Sequence, residues 1–333
     1  MRRGSIYMEQ NIAKYIEVYE ELSKKMKWKV TDNKILMTIA SFYALNQQLF
    51  QMERYLMVAE EIKKQAGIFS SIRSESRYIT AAMLDVSFED PELKIPALFH
   101  AYDELIEAKF RRGIFTYIAA SVLIKNSGSE PGDYGPVITK AKDIYDRMKK
   151  EHFFLTSAED YPLAMLLASS GRDDVIERNE RFYEDLNRHG FRKGNHLQML
   201  SHILTLDKEV SAETLLSRTI EVFDAFKEVG LKQKTFYYPV MGMLAMIPPE
   251  ELDMHKVHQV YEQLNQTKHF KWQKDLNVTL AASFVVKDKL ENSAFIETSL
   301  YTSLETILQA QQAAMTASIT AAAASSSSSG SGN

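Results

Sequence analysis

Hydrophobic positions along this chain recur on two scales. Over short segments large apolar residues return every three or four places, as at Leu98, Tyr102, Leu105 and Ile106. That spacing puts them on one face of a helix. Over a longer scale an apolar anchor returns at Tyr19, Ile62, Tyr102, Tyr145, Tyr183, Phe223 and Tyr261, in steps of 38 to 43 residues. Eight places after Tyr102, Tyr145, Tyr183 and Phe223 stands another large apolar residue: Phe110, Phe153, Phe191 and Leu231. Trp28 and Phe270 come one place later after their anchors, and Ile68 and Phe69 give an approximate echo after Ile62. A period near forty is that of stacked helical pairs.

The polar residues divide each repeat in two. The anchor helices are amphipathic and charged, whereas the segments that follow them are almost free of charge, as in Phe115 to Leu123. The phrase Tyr161-Pro162-Leu163-Ala164-Met165-Leu166 returns after 77 residues as Tyr238-Pro239-Val240-Met241-Gly242-Met243. Uncharged helices carrying Ala and Gly are expected to be buried, because small side chains let neighbouring helices approach. Thr156-Ser157-Ala158-Glu159 reads as a capping box at a helix start. Asp90-Pro91-Glu92 and Pro248-Pro249-Glu250-Glu251 read as two further helix starts.

These patterns predict an all-α protein of about thirteen to fifteen helices, arranged as seven antiparallel pairs in a right-handed superhelical array. Closure of the same pairs into an α/α toroid is the alternative. Residues 1–9 read as an N-terminal extension, with Met8 as a second candidate start, and residues 10–308 as one helical-repeat domain. A final helix is expected through Ile296, Leu300, Leu304 and Ile307, ahead of a flexible Ala/Ser-rich tail over 309–333. The Gly- and Pro-rich stretch 126–136 is a candidate hinge, with a surface loop as the plainer reading.

Composition narrows the function classes. With 45% hydrophobic and 25% charged residues, the 333-residue chain can bury a sizeable core. The absence of cysteine removes disulfides, thiolate zinc sites and cysteine nucleophiles, and fits a reducing, cytoplasmic setting. A formal charge of −4 gives no global case for nucleic acid, and no apolar run reaches the roughly 20 residues a membrane span needs. The opening MRRGSIYMEQ lacks the apolar stretch of a secretory signal.

Catalytic signatures are missing from the chain. Neither phosphate-loop pattern occurs, nor does a Gly-x-Ser-x-Gly elbow. His255 and His258, with Asp253, have helical metal-ligand spacing, but no further ligand accompanies them and a solvated helix start accounts for them as well. His196 and His202, six apart, fall on different helix faces. No catalytic, cofactor-binding or metal-binding residue is therefore assigned.

Charge by register carries more information. The nine-residue windows covering the turn inside each pair sum to +12, and the windows covering the turns between pairs sum to −10. Stacked pairs would then have one basic and one acidic edge. Complementing helix dipoles, at about 0.3–1 kcal/mol per charge, is the plainer account of that pattern, and a functional basic edge for an acidic protein, nucleic acid or anionic membrane surface is the alternative. Trp28, Phe110, Phe191, Phe270 and Trp272 interleave with the bases, and their regular spacing suggests core packing rather than stacking on a ligand. The densest basic turn is that of the fifth pair, with Arg188, His189, Arg192, Lys193 and His196, followed one repeat later by Lys232 and Lys234. These seven residues are the candidate site for an anionic partner.

The repeat, the Tyr183–Phe191 unit and the run Leu155-Thr156-Ser157-Ala158-Glu159-Asp160-Tyr161-Pro162 make the chain resemble a bacterial family known as domain of unknown function 4003, over roughly residues 10–305. The resemblance implies a cytoplasmic bacterial protein and carries over no functional residue. The expected function is a cytoplasmic scaffold that binds a protein or peptide on an extended helical surface, without a cofactor. The alternative is an enzyme on an α/α toroid, with carboxylates or histidines at its mouth. Nucleic acid is not expected as a partner.

Overall fold

A computed structural model describes residues 2–46, 48–126 and 133–292, with side chains from 8 to 289. Among these residues there are fourteen α-helices and no strand. The chain divides into two compact units, one of residues 11–169 and one of residues 2–10 and 170–292. The expected last helix and the tail lie outside the described residues, as does the centre of the 126–136 stretch. The expected N-terminal extension falls on the start of the first helix.

The first unit holds α1 (Arg2–Met26) from residue 11 onward, α2 (Asn33–Leu45), α3 (Met52–Gln65) and α4 (Ser76–Ser87). It continues with α5 (Ile95–Glu107), α6 (Ile114–Asn126), α7 (Gly135–Glu151) and α8 (Tyr161–Ser169). The second holds α9 (Val175–Arg188), α10 (Asn195–Leu206), α11 (Ala212–Glu228), α12 (Tyr238–Ala245), α13 (Met254–Gln266) and α14 (Lys274–Asn292). All seven anchors fall on odd-numbered helices, so each repeat is one odd–even pair. The pairs pack within themselves from α3 with α4 onward, and even helices pack on even ones in each unit.

Burial follows the charge pattern. The uncharged even helices are buried almost all round: Thr116 to Ile124 without a gap in α6, and all eight residues of α12. Odd helices bury a single stripe, such as Ile138, Ala141, Ile144, Tyr145 and Met148 on α7. Gly242 of α12 marks a close approach to α10. A Cβ there would stand 2.4 Å from Leu200 Cδ1 and 3.5 Å from Ile203 Cγ2.

The repeated Tyr-Pro phrase has the same task twice. Tyr161 and Tyr238 are buried at the first residue of α8 and α12. The Tyr161 hydroxyl accepts from the Arg111 amide at 3.2 Å, and the Tyr238 hydroxyl accepts from the Arg192 amide at 3.0 Å. Each ring lies against the aromatic that closes the preceding turn, Phe110 at 4.8 Å and Phe191 at 4.9 Å between centroids. Each Tyr thus fastens the turn of one pair to the even helix of the next.

Two sequence expectations shift. The cap before α8 is Ser157, one residue later than expected: Ser157 Oγ accepts from the Glu159 amide, and Asp160, not Glu159, returns to the Ser157 amide at 2.8 Å. The helix after Pro248-Pro249 begins at Met254, five residues beyond the prolines, where the Asp253 carboxylate caps the His255 and Lys256 amides. A side-chain acceptor at the right distance from the first free amides fixes the start more strongly than a proline does.

The larger correction concerns the large apolar residues that follow each anchor in the turn. Phe110, Phe191, Leu231 and Phe270 are core residues, but Trp28, Ile68, Phe69, Phe153 and Trp272 are exposed. The reason is how each turn closes. After α5, α9 and α11 the chain passes through a left-handed residue, Lys109, Gly190 and Gly230 (φ 71°, 93° and 81°). The next amide then reaches back to a carbonyl five residues earlier: Phe110 to Leu105, Phe191 to Leu186 and Leu231 to Phe226, at 2.8–3.1 Å. This helix-ending motif folds the following apolar residue inward. In the first turn the Val30 amide bonds to Met26 instead, and Val30 takes the buried place that Trp28 leaves.

Candidate functional site

The seven turns inside pairs coincide with the basic windows of the sequence. They are residues 27–32, 66–75, 108–113 and 152–160 in the first unit, and 189–194, 229–237 and 267–273 in the second. Hydrogen bonds from each turn to the next turn, or to the start of the next pair's even helix, link them within each unit. Thr31 donates its amide and hydroxyl to the Glu75 carboxylate at 3.0–3.2 Å, and Ser70 Oγ pairs with Tyr117 Oη at 2.9 Å. The Arg111–Tyr161 and Arg192–Tyr238 bonds continue the series, as does Asp275, which accepts from Tyr237 and Lys234. Each unit therefore has one edge built of these turns, with window charges of +5 in the first unit and +7 in the second.

The same turns hold most of the apolar surface. Ten large hydrophobic side chains are exposed among the described residues, and seven of them lie in these windows: Trp28, Ile68, Phe69, Phe153, Phe154, Phe236 and Trp272. The windows make up only about a fifth of the chain, so the concentration follows the edge. Lysine ammonium groups lie over several of the rings: Lys27 over Trp28 at 5.4 Å, Lys149 over Phe153 at 5.6 Å and Lys271 over Trp272 at 5.2 Å.

The seven residues singled out from sequence fall on the fifth and sixth turns or next to them. Those turns adjoin, through the Arg192–Tyr238 bond and the His196 ring 5.7 Å from Phe236. Their availability differs. Arg188 pairs with Asp185 at 2.7 Å and Lys193 with Glu184 at 2.8 Å, and Lys234 is held by Asp275. His189 Nδ1 lies 2.8 Å from the Asp185 carbonyl, and His196 is half-buried, with its pKa lowered by that burial. Arg192 and Lys232 are exposed and make no ion pair among the described residues. These two are the exposed cations of the seven residues that no ion pair holds.

Sequence reasoning missed the exposed aromatics. A signal was present in the doublets Ile68-Phe69 and Phe153-Phe154: two adjacent large apolar residues just past a helix end cannot both follow a helical stripe.

Elsewhere the chemistry is sparse. A half-open pocket in the second unit is lined mainly by apolar side chains, including Val222, Ala225, Ile247 and Leu252, with Arg218 and one carboxylate, Glu221. No group of three His, Asp or Glu side chains among the described residues stands close enough to hold a metal ion. The Asp253 carboxylate, a potential third ligand beside His255 and His258, is used as a helix cap. No helix of the described residues is long and apolar enough to cross a membrane.

The chain is similar to the uncharacterized protein YeaA of Bacillus subtilis (strain 168), 35% identical over 301 residues, which cover 90% of this chain and 91% of that protein. No solved structure matches it. Residues 18–313 match the family described as protein of unknown function (DUF4003), as the repeat and its phrases suggested. The chain belongs to that family.

Proposed function

We propose that this chain is a cytoplasmic binding scaffold that holds an acidic protein or peptide segment along the turn edge of its second unit. The observation that carries the reading is the pair of accessible bases on adjoining turns, Arg192 and Lys232, within an edge of window charge +7. Neighbouring helices pack about 8–10 Å apart, so bases from two successive turns can grip one extended acidic segment. The locked turn backbones support this role, since Arg192 is held at its amide while its side chain stays exposed. A preorganised surface loses less conformational freedom on binding. Dipole complementation alone accounts for bases near helix ends but not for exposed Trp272 and Phe236 beside them.

The test is capture of the partner from native cells, followed by direct binding measurements with the double variant Arg192→Ala/Lys232→Ala. Stability should change by less than about 0.5 kcal/mol, as for other exposed charges. Affinity should fall about tenfold, and the dependence on salt should flatten with it. Unchanged affinity and an unchanged salt response would leave the bases as dipole partners only.

A further inference from the structure

We infer that the turn edge of the first unit is a docking surface for an anionic lipid bilayer. The inference goes beyond the scaffold reading and rests on a different unit. Four successive turns carry it. Trp28 projects from the first, Ile68 and Phe69 from the second, and Phe153 and Phe154 from the fourth. Phe69 and Phe154 are as open as side chains become, at 101% and 95% exposure, and Trp28 follows at 89%. The third turn buries its aromatic, Phe110, and presents Lys109, Arg111 and Arg112 instead. Lys24, Lys25, Lys27 and Lys29 surround Trp28, and all four are exposed.

The shape of this surface selects the partner. A protein partner buries its anchor residues in packed, matching pockets. Here the apolar groups are tips at 64–101% exposure, spread over turns about 8–10 Å apart. A fluid interface takes such tips without a matching pocket. Trp and Phe settle at the level of the headgroups, and lysines beside them turn their ammonium groups to lipid phosphates. The Thr31–Glu75, Ser70–Tyr117 and Arg111–Tyr161 bonds hold the four turns in one row, so the tips can enter together. Neither the bases nor the aromatics alone make a stable anchor, but the two signals together do.

The chain offers its own reporter, because Trp28 and Trp272 are its two tryptophans. In the full-length Trp272→Phe variant, tryptophan emission comes from Trp28 alone. Vesicles of phosphatidylcholine and phosphatidylglycerol at 7:3 should co-sediment with the protein, shift that emission to the blue and allow its quenching by brominated acyl chains. Pure phosphatidylcholine should do none of the three. Phe69→Ser/Phe154→Ser should weaken partitioning about tenfold or more at unchanged melting temperature, since both rings are exposed.

Failure to bind the anionic vesicles overturns the inference. So does binding without a blue shift, which would mean adsorption by charge alone. Loss of vesicle binding with intact, Arg192-dependent capture of an acidic partner would remove the lipid surface and leave the scaffold. Vesicle binding without such capture would do the reverse.

Discussion

Replacing Asp85 by Ala should destabilise the first unit by about 3 kcal/mol, the low end of the range for breaking a buried ion pair. Asp85 is 1% exposed near the end of α4, where its carboxylate accepts from the Tyr43 hydroxyl at 2.5 Å and meets Arg54 Nε at 2.7 Å. The three residues come from α2, α3 and α4, so one carboxylate joins three helices of two successive pairs. Arg54 goes on to donate to the Phe88 and Glu89 carbonyls, which ties the same node to the connection toward α5. Burial, reinforced by the neighbouring carboxylate, drives the Tyr43 phenol pKa far upward, so it remains a donor at any physiological pH. Without Asp85 a half-buried guanidinium loses its counter-ion and a buried hydroxyl loses its acceptor. The melting temperature should fall by roughly 6–12 °C, at about 2–4 °C per kcal/mol for a unit of this size. Asp85→Asn keeps an acceptor and should recover part of the loss. A shift under about 2 °C for the alanine variant would mean that the node does not hold the three helices together.

The second large effect is expected at Gly242. Substitution by Val forces two methyl groups and a Cβ into the contact with α10, where Leu200, Ile203 and Leu204 are all fully buried. Overpacking of this kind costs about 1–3 kcal/mol, and the fully buried neighbours favour the upper end. The gain in helix propensity over Gly, at most about 0.5 kcal/mol for Val, does not offset it. Gly242→Ala is the informative comparison. Its propensity gain approaches about 1 kcal/mol, while its Cβ would stand 2.4 Å from Leu200 Cδ1, so the two effects should nearly cancel. Chemical denaturation should therefore place the Ala variant close to wild type and the Val variant well below both. A Val variant as stable as wild type would show that α10 and α12 have room to part.

Much of this architecture was legible in the sequence because it repeats. The anchors, the alternation of charged and uncharged helices and the basic windows all reflect constraints that return every pair, and each coincides with an observed helix or turn. The Tyr-Pro phrase was legible as a repeat but not as a fastener, because its hydrogen bond spans 46 residues to Arg192 and 50 to Arg111. The closing residue of each turn was not legible from spacing. Whether Phe110 enters the core or Trp28 stays outside depends on one left-handed residue between helix and turn, and Lys109 adopts that conformation without being glycine. Long-range pairing hid the true state of the basic cluster for the same reason. Glu184 lies nine residues from Lys193 and Asp275 lies 41 from Lys234; with Arg188 on Asp185, two of the five cations, Arg192 and Lys232, stay outside an ion pair among the described residues.

Site-specific photo-cross-linking in the native cell tests the scaffold most directly. A photoreactive residue is placed on the turn edge of the second unit, at Arg192 or Lys232, and as controls on turns between pairs, at Glu209 or Glu250. All four positions are exposed, so the substitutions should leave the fold intact. The scaffold reading predicts one adduct, shared by positions 192 and 232 and lost at high salt, with none at 209 or 250. Adducts confined to positions 209 and 250, or spread equally over all four, would contradict it.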